Sequence, residues 1–82
     1  MLRSVHHLDV TGLRCPVPVL MTARAMATLA HGERLEVVGD DPEMLVDLPA
    51  WCEQSGNRLL AIERLGDRIH ARLEKAALPA IV

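Results

Sequence analysis

The segment TGLRCPVPVL, residues 11–20, places one cysteine directly before two prolines that alternate with valines. Thr11 and Gly12 favour a turn and a helical pattern follows, so Cys15 is predicted to lie at or next to the N-cap of a helix. The first N–H groups of a helix lack partners and its dipole places positive charge there, which stabilises a thiolate. The pKa of such a cysteine can fall well below the value of about 8.5 for a free thiol. The segment therefore predicts that Cys15 is a reactive nucleophile.

The two prolines are predicted to fix the orientation of this thiol. Pro16 would occupy the first helical position, where the fixed φ of proline suits the helix, and Pro18 lies two residues further on. Together they remove two backbone donors and leave the Val17 N–H to point at the sulfur, while Arg14 adds a positive charge beside it. Cys15 could instead only cap the helix or fill a gap, but two neighbouring prolines favour a preorganised and exposed nucleophile.

The remaining residues with chemical potential are predicted to be structural. Cys52 falls on the apolar arc of a second helix, which favours a buried, inert thiol over a resolving cysteine, and no Cys-x-x-Cys motif supports a redox role. Ligand spacing is absent among the histidines, so no metal site is predicted at His6, His7, His31 and His70. The acidic residues after the second strand are predicted to shape a turn and begin a helix rather than bind a cation: Asp40, Asp41 and Glu43.

The composition limits the classes of protein to which the chain can belong. Its 82 residues predict a single domain over 1–82, and one Trp with no Phe or Tyr predicts an aliphatic core. A formal net charge of −2 argues against direct contact with nucleic acid. No apolar run has the length of a signal peptide or a membrane helix, so a cytoplasmic protein without membrane contact is expected. In that reducing compartment both cysteines are expected to be free thiols.

Hydrophobic periodicity and turn residues predict the order β-α-β-α-β-β. The elements are a strand over 4–10, a helix from Pro16 to Gly32, a strand over 34–39, a helix around 43–55, and a hairpin of strands 58–64 and 68–74. The second helix is expected to have a short first turn followed by a main helix that Asp47 caps, with Pro49 in its first turn and Gly56 at its end. A right-handed crossover makes the first two strands parallel. The predicted fold is an α/β two-layer sandwich with both helices on one face of the sheet.

A helical wheel divides the first helix into two faces. The predicted core arc contains Val19, Leu20, Ala23, Met26, Ala27 and Ala30. The opposite, solvent-facing side contains Val17, Met21, Arg24 and Thr28.

Two stretches of the chain resemble the TusA/SirA family of small sulfur-carrier proteins. LDVTGLRCPVPVL resembles the family's Cys-Pro-x-Pro signature, which follows a Gly-Leu-x step, and GERLEVVGDDPEMLVDLPAWCEQSGNRLL resembles its second half. The resemblance covers roughly residues 6–74 and implies a two-layer sandwich with a mixed four-stranded sheet. The chain departs from the family pattern at Gly39, where Thr is common, and at Met44 and Leu45, which are bulkier than usual.

The resemblance implies a function as a sulfur carrier. Cys15 would attack a donor's sulfane sulfur and hold it as a persulfide, with Pro16, Val17 and Pro18 as positioning residues. The implied partners are a cysteine desulfurase or rhodanese-like donor and a sulfur-acceptor protein, in tRNA thiolation, molybdenum-cofactor biosynthesis or sulfur oxidation. No cofactor is expected, and the free protein is expected to be a monomer.

We expect the partners of such a carrier to dock beside its thiol. Arg14, Val17, Met21 and Arg24 are predicted to form this docking face, because two apolar side chains one turn apart lie between two positive charges. Two other classes of function remain open. A thiol-disulfide enzyme would form a reversible Cys15–Cys52 bond, and a regulatory or scaffold domain would bind its partner without Cys15.

Overall fold

The computed structural model describes residues 4–76, and within that range six elements follow one another in the order β-α-β-α-β-β. The elements are β1 Val5–Asp9, α1 Val17–Ala27, β2 Arg34–Gly39, α2 Met44–Ser55, β3 Arg58–Leu65 and β4 Arg68–Glu74. The predicted order is therefore confirmed, and each predicted strand lies within one residue of the observed bounds at either end.

The four strands form one mixed sheet in the order β1-β2-β4-β3. β1 and β2 are parallel because α1 forms the crossover between them, whereas β4 pairs antiparallel with both β2 and β3. Both helices cover the same face of this sheet, which confirms the predicted two-layer α/β sandwich. Since β1 and β2 are parallel, the loops that follow them leave the sheet at the same edge, and this places the segment of Cys15 beside that of Asp40 and Asp41.

The core lies between the helices and the sheet and is aliphatic, as predicted. Alternate residues of β2 and β4 are buried, as expected for strands with one covered face. The buried hydrophobic residues are Val10, Met26, Leu29, Leu35, Val37, Met44, Leu48, Cys52, Ile69, Ala71 and Leu73.

Gly39 and Met44 fit together in this core. Gly39 ends β2, and a Cβ atom added there would overlap the Met44 side chain and lie 2.9 Å from Val10 Cγ2. The missing side chain at position 39 therefore provides the space that the larger side chain at position 44 fills.

The first helix differs from its prediction in its end and in its buried face. It ends at Ala27, with Thr28 as its C-cap, so the predicted end at Gly32 is wrong. Its buried residues are Pro18, Thr22 and Met26. Leu20 is 59% exposed, and Ala27 and Ala30 are also exposed, so the predicted core arc is wrong at these three positions. A wheel based on hydrophobicity does not place a threonine inside. The Thr22 hydroxyl can nevertheless be buried because it donates a hydrogen bond to the Pro18 carbonyl at 2.8 Å.

The second helix is one continuous element rather than a short turn followed by a capped helix. Asp47 lies in its first turn and Pro49 lies inside it, so the predicted cap at Asp47 is wrong. Its predicted end is confirmed, because Gly56 is the C-cap with φ of 81° and donates its N–H to the Cys52 carbonyl.

α2 has 12 residues, and across 4–76 no helix combines the length and apolar character needed to cross a membrane.

Candidate functional site

Cys15 is exposed in the loop between β1 and α1, directly before the N-cap residue Pro16. Its predicted location next to an N-cap is therefore confirmed, but the prediction that Pro16 is the first helical residue is wrong by one position, because α1 begins at Val17. The Val17 N–H donates to the Arg14 carbonyl at 2.9 Å, which closes a turn around Cys15. The predicted aim of this N–H at the sulfur is therefore wrong. The Cys15–Pro16 peptide bond is cis.

Two consecutive aspartates at the end of β2 hold this loop in place. Asp40 Oδ1 accepts hydrogen bonds from the Gly12 N–H at 2.9 Å and from Arg14 Nη1 at 2.8 Å. The Gly12 bond and the Arg14 guanidinium lower the pKa of the Asp40 carboxyl, which favours its ionised form. Gly12 has a φ of 86°, a conformation that favours glycine and that turns the chain toward Asp40.

Asp41 contacts the main chain of the cysteine itself. Its Oδ2 accepts the Cys15 N–H at 2.6 Å, and its Oδ1 accepts the Glu43 N–H at 3.1 Å. The residue is only 5% exposed, and both carboxylate oxygens have a backbone donor. This side chain therefore joins the thiol loop to the segment that begins α2.

The electrostatic environment of the thiol is acidic, contrary to the prediction from the helix terminus and Arg14. A hydrogen bond to the Asp47 side chain raises the pKa of the Cys15 thiol above its ordinary value. Partial desolvation and the charges of Asp47, Glu43 and Asp41 raise it further. The expected lowering is wrong for two reasons. The Arg14 guanidinium is paired with Asp40, and the α2 segment brings carboxylates toward the sulfur.

The second thiol has the environment that the sequence indicates. Cys52 is 4% exposed, lies on the core side of α2 and is unbonded to Cys15. Burial alone raises the pKa of its thiol. The predicted burial of Cys52 is confirmed.

The surface around Cys15 only partly matches the predicted docking face. Val17, Arg14 and Arg24 are exposed, as expected. Met21 is half-buried and packs against the core, so its predicted position on the solvent side is wrong. Leu20 is exposed instead, because the buried row of Pro18, Thr22 and Met26 rotates the helix relative to the predicted arc.

The sequence did not indicate that Val46, in the first turn of α2, is another exposed apolar residue. Val46, 64% exposed, lies in the first turn of α2 directly before Asp47. Hydrophobic periodicity gave no signal for it, because Val46 falls outside the buried arc of its own helix. We refer to the exposed side chains of Val17, Leu20 and Val46 as the apolar rim.

The other candidate residues lie apart from the thiol. His6 and His7 both lie on β1. The His6 ring is 3.5 Å from the Glu33 carboxylate, and the His7 ring is 3.5 Å from the Glu36 carboxylate. In the part of the chain that the structure describes, no three His, Cys, Asp or Glu side chains converge as metal ligands. A concavity of 510 Å³ lies on the uncovered face of the sheet, and Cys15 is not among the residues that line it.

Comparison with known proteins adds a family and a fold. The family model described as Sulfurtransferase TusA matches residues 6–75. A protein of Aquifex aeolicus (strain VF5), whose name proposes a sulfur carrier, is 40% identical over 70 residues, which are 85% of this chain and 36% of that relative. The crystal structure of a SirA-like protein from Desulfitobacterium hafniense has the same fold, with a TM-score of 0.75 at 23% identity, and the match covers 89% of this chain and 99% of that one.

Proposed function

Because this chain belongs to the sulfurtransferase TusA family, we propose that it carries sulfane sulfur as a persulfide on Cys15 between a donor protein and an acceptor protein. The observation that supports this role most directly is the position of the thiol. Cys15 is exposed in a loop that two aspartates hold in place. Such a thiol can enter the active site of a partner.

Loading requires one sulfur atom to move from thiol to thiol. The Cys15 thiolate attacks the outer sulfur of a donor persulfide, a new S–S bond forms at Cys15, and the S–S bond of the donor breaks. The donor thiolate leaves and takes up the proton that the Cys15 thiol loses. Unloading repeats the same exchange with an acceptor thiolate, so the carrier undergoes no net oxidation or reduction.

The acidic surroundings of Cys15 affect when this exchange can occur. Because the thiolate is the nucleophile, the raised pKa keeps most of the free carrier in its unreactive protonated form at neutral pH. A donor that brings positive charge toward Asp47 would offset this effect in the complex and increase the thiolate fraction. Reactivity would then depend on docking.

We further propose that partners dock on the surface beside the thiol. The predicted docking residues Arg14, Val17, Met21 and Arg24 form one side of this surface, with Met21 contributing only its accessible edge. The apolar rim extends the surface to α2 through Val46. Pro16 and Pro18 shape the loop that presents Cys15 to a docked partner.

The donor is proposed to be a cysteine desulfurase or a rhodanese-like protein, and the acceptor to be another protein. Transfer would serve tRNA thiolation, molybdenum-cofactor biosynthesis or sulfur oxidation without direct contact between this chain and nucleic acid. A reducing compartment such as the cytoplasm suits the role, because both cysteines are free thiols.

Loading of cysteine variants tests the proposal. Each protein is incubated with a cysteine desulfurase and cysteine, or with a rhodanese and thiosulfate: the wild-type chain, Cys15→Ser and Cys52→Ser. Mass spectrometry then gives the mass of each cysteine-containing peptide. We expect Cys15→Ser to abolish loading and Cys52→Ser to retain it. A loss of loading in Cys52→Ser alone, or a Cys15–Cys52 disulfide as the product, would favour a dithiol mechanism. Partner binding that occurs without any loading of the wild type would favour a regulatory or scaffold domain.

A further inference from the structure

We propose that Asp41 is a positioning residue for sulfur transfer, which holds the main chain of Cys15 against the start of α2 so that the thiol meets its partner in one orientation. The inference rests on the proposed function, and it assigns a role to a side chain that need not touch the partner. The sequence alone indicates only a turn residue at this position.

The geometry of the Asp41 carboxylate carries the argument. One oxygen accepts the Cys15 N–H at 2.6 Å and the other accepts the Glu43 N–H at 3.1 Å, so a single side chain connects two segments that are 26 residues apart. The Asp41 carbonyl also accepts the Met44 N–H at 3.0 Å at the beginning of α2. Because Met44 is buried in the core, the Cys15 backbone is anchored through Asp41 to the rigid interior.

A carboxylate is needed for this double contact. A serine hydroxyl at position 41 can still accept the Glu43 N–H two residues further on, as in a common local turn, but it is too short to reach Cys15 as well. An asparagine has one acceptor oxygen, and its NH₂ group would face whichever N–H remains. Asp41→Ser therefore removes the Cys15 contact selectively, and Asp41→Asn removes one of the two contacts.

Asp40 provides a matched control on the neighbouring residue. It is also an aspartate after β2 that holds the thiol loop, but its partners are the Gly12 N–H and Arg14, and no bond reaches Cys15. Asp40→Asn removes the same charge from the same turn. A difference between variants at positions 40 and 41 therefore reports on the bond to Cys15 rather than on charge.

The decisive experiment is steady-state loading by a cysteine desulfurase that loads the wild-type chain, with carrier concentration varied and the rate measured at the pH-independent plateau. At the plateau the thiol is fully ionised, so removing a nearby negative charge cannot raise the thiolate fraction further. We expect Asp41→Ser and Asp41→Asn to lower kcat by about tenfold or more with KM within about twofold, since misplacement of a reacting group by 1 Å can reduce a rate by ~100-fold. Asp40→Asn, which alters the loop without removing a bond to Cys15, should lower kcat less than either Asp41 variant. Glu53→Gln, at an exposed position of α2 outside the thiol loop, should retain kcat within about twofold.

Hydrogen exchange at the Cys15 amide provides a second readout that does not depend on a donor. The amide should be protected in the wild type and in Asp40→Asn, and should exchange about tenfold faster or more in Asp41→Ser, with the core amides of β2 and β4 unchanged. If the core amides of Asp41→Ser also lose protection, that variant is unfolded. The role of Asp41 is then decided by Asp41→Asn and by the protection of the Cys15 amide in the wild type.

The outcomes separate this inference from the proposed function. Equal kcat in wild type and folded Asp41 variants, an equal loss in Asp40→Asn, or a Cys15 amide that exchanges freely in the wild type would each overturn the role of Asp41. Failure of every donor to load the wild type would contradict the proposed function instead, and the positioning of Cys15 by Asp41 would still be decided by the amide exchange.

Discussion

Cys15 and Cys52 are both free thiols whose pKa is raised, but the causes differ. At Cys15 the cause is a hydrogen bond to Asp47 and nearby carboxylate charge, at an exposed position. At Cys52 the cause is burial in the core. A docked partner with positive charge can reverse the first effect, whereas only opening of the fold can reverse the second. Exposure and a removable charge effect therefore distinguish the proposed carrier thiol from the structural thiol.

The largest expected effect is the difference in alkylation of the two thiols in the native protein. The rate of alkylation of Cys15 by iodoacetamide should exceed that of Cys52 by about a hundredfold or more. The reason is that labelling of a buried group requires local opening, which costs about 3 kcal/mol or more. Peptide mass analysis at successive times measures both rates. In denaturant the two rates should become similar, and comparable labelling of both thiols in the folded chain would remove the distinction.

Replacement by serine should lower the free energy of unfolding at Cys52 and leave it almost unchanged at Cys15. Cys52→Ser should lower the free energy of unfolding by about 1–3 kcal/mol, because an unpaired hydroxyl replaces a thiol in the apolar core. Cys15→Ser should change it by no more than about 0.5 kcal/mol, as is usual for exposed residues. Urea unfolding measures both changes. A larger loss for Cys15→Ser would mean that Cys15 is itself structural.

Asp47→Asn tests the source of the raised pKa at Cys15. An Asp47 carboxylate accepts a hydrogen bond from the neutral thiol and repels the thiolate, so its replacement by a neutral amide should lower the pKa of Cys15 and shift the pH profile of alkylation to lower pH. At neutral pH, labelling of Cys15 should be several times faster. Cys52 should not respond.

Glu53→Gln is the matched control for this variant. Glu53 is an exposed acidic residue of the same helix, about 9 Å further along its axis from Asp47. The profile of Cys15 should remain unchanged in Glu53→Gln. An equal shift in both variants would indicate a general effect of net charge rather than a specific contact.

The prolines should have the smallest effect, one of rate rather than of fold. Pro16→Ala and Pro18→Ala loosen the loop before α1, and we expect sulfur handover to slow severalfold while the chain still folds. Pro18 is buried, so its replacement should also lower stability somewhat. Unchanged transfer rates in the double variant would mean that the prolines serve stability alone.

Local patterns were sufficient to predict most of the fold. Strand alternation, the crossover rule and the turn residues identified each element, and the apolar arc of α2 correctly placed Cys52 in the core. The errors in α1 arose because Thr22 is buried with its hydroxyl satisfied inside the helix, a contact that hydrophobicity does not report. The rotation that results exposes Leu20 and partly buries Met21.

The chemistry of the site was harder to predict because its partners are distant in sequence. The neighbours of Cys15 predicted that it is the reactive thiol, but the residues that hold it and alter its pKa all lie beyond β2: Asp40, Asp41 and Asp47. Only the parallel pairing of β1 with β2 brings them to the same edge of the sheet. This topology was predicted, and its combination with two aspartates directly after β2 was the signal that could have revealed the contacts.

The most direct test of the account is to identify which thiol holds transferable sulfur. The wild-type chain is treated with inorganic polysulfide, its cysteine peptides are weighed, and a second sample is treated with cyanide, which removes a persulfide's outer sulfur as thiocyanate and regenerates the thiol. We predict one added sulfur atom on the Cys15 peptide, none on the Cys52 peptide, and complete removal by cyanide with an equal yield of thiocyanate. Added sulfur on Cys52, or sulfur on Cys15 that cyanide cannot remove, would contradict the assignment of Cys15 as the carrier.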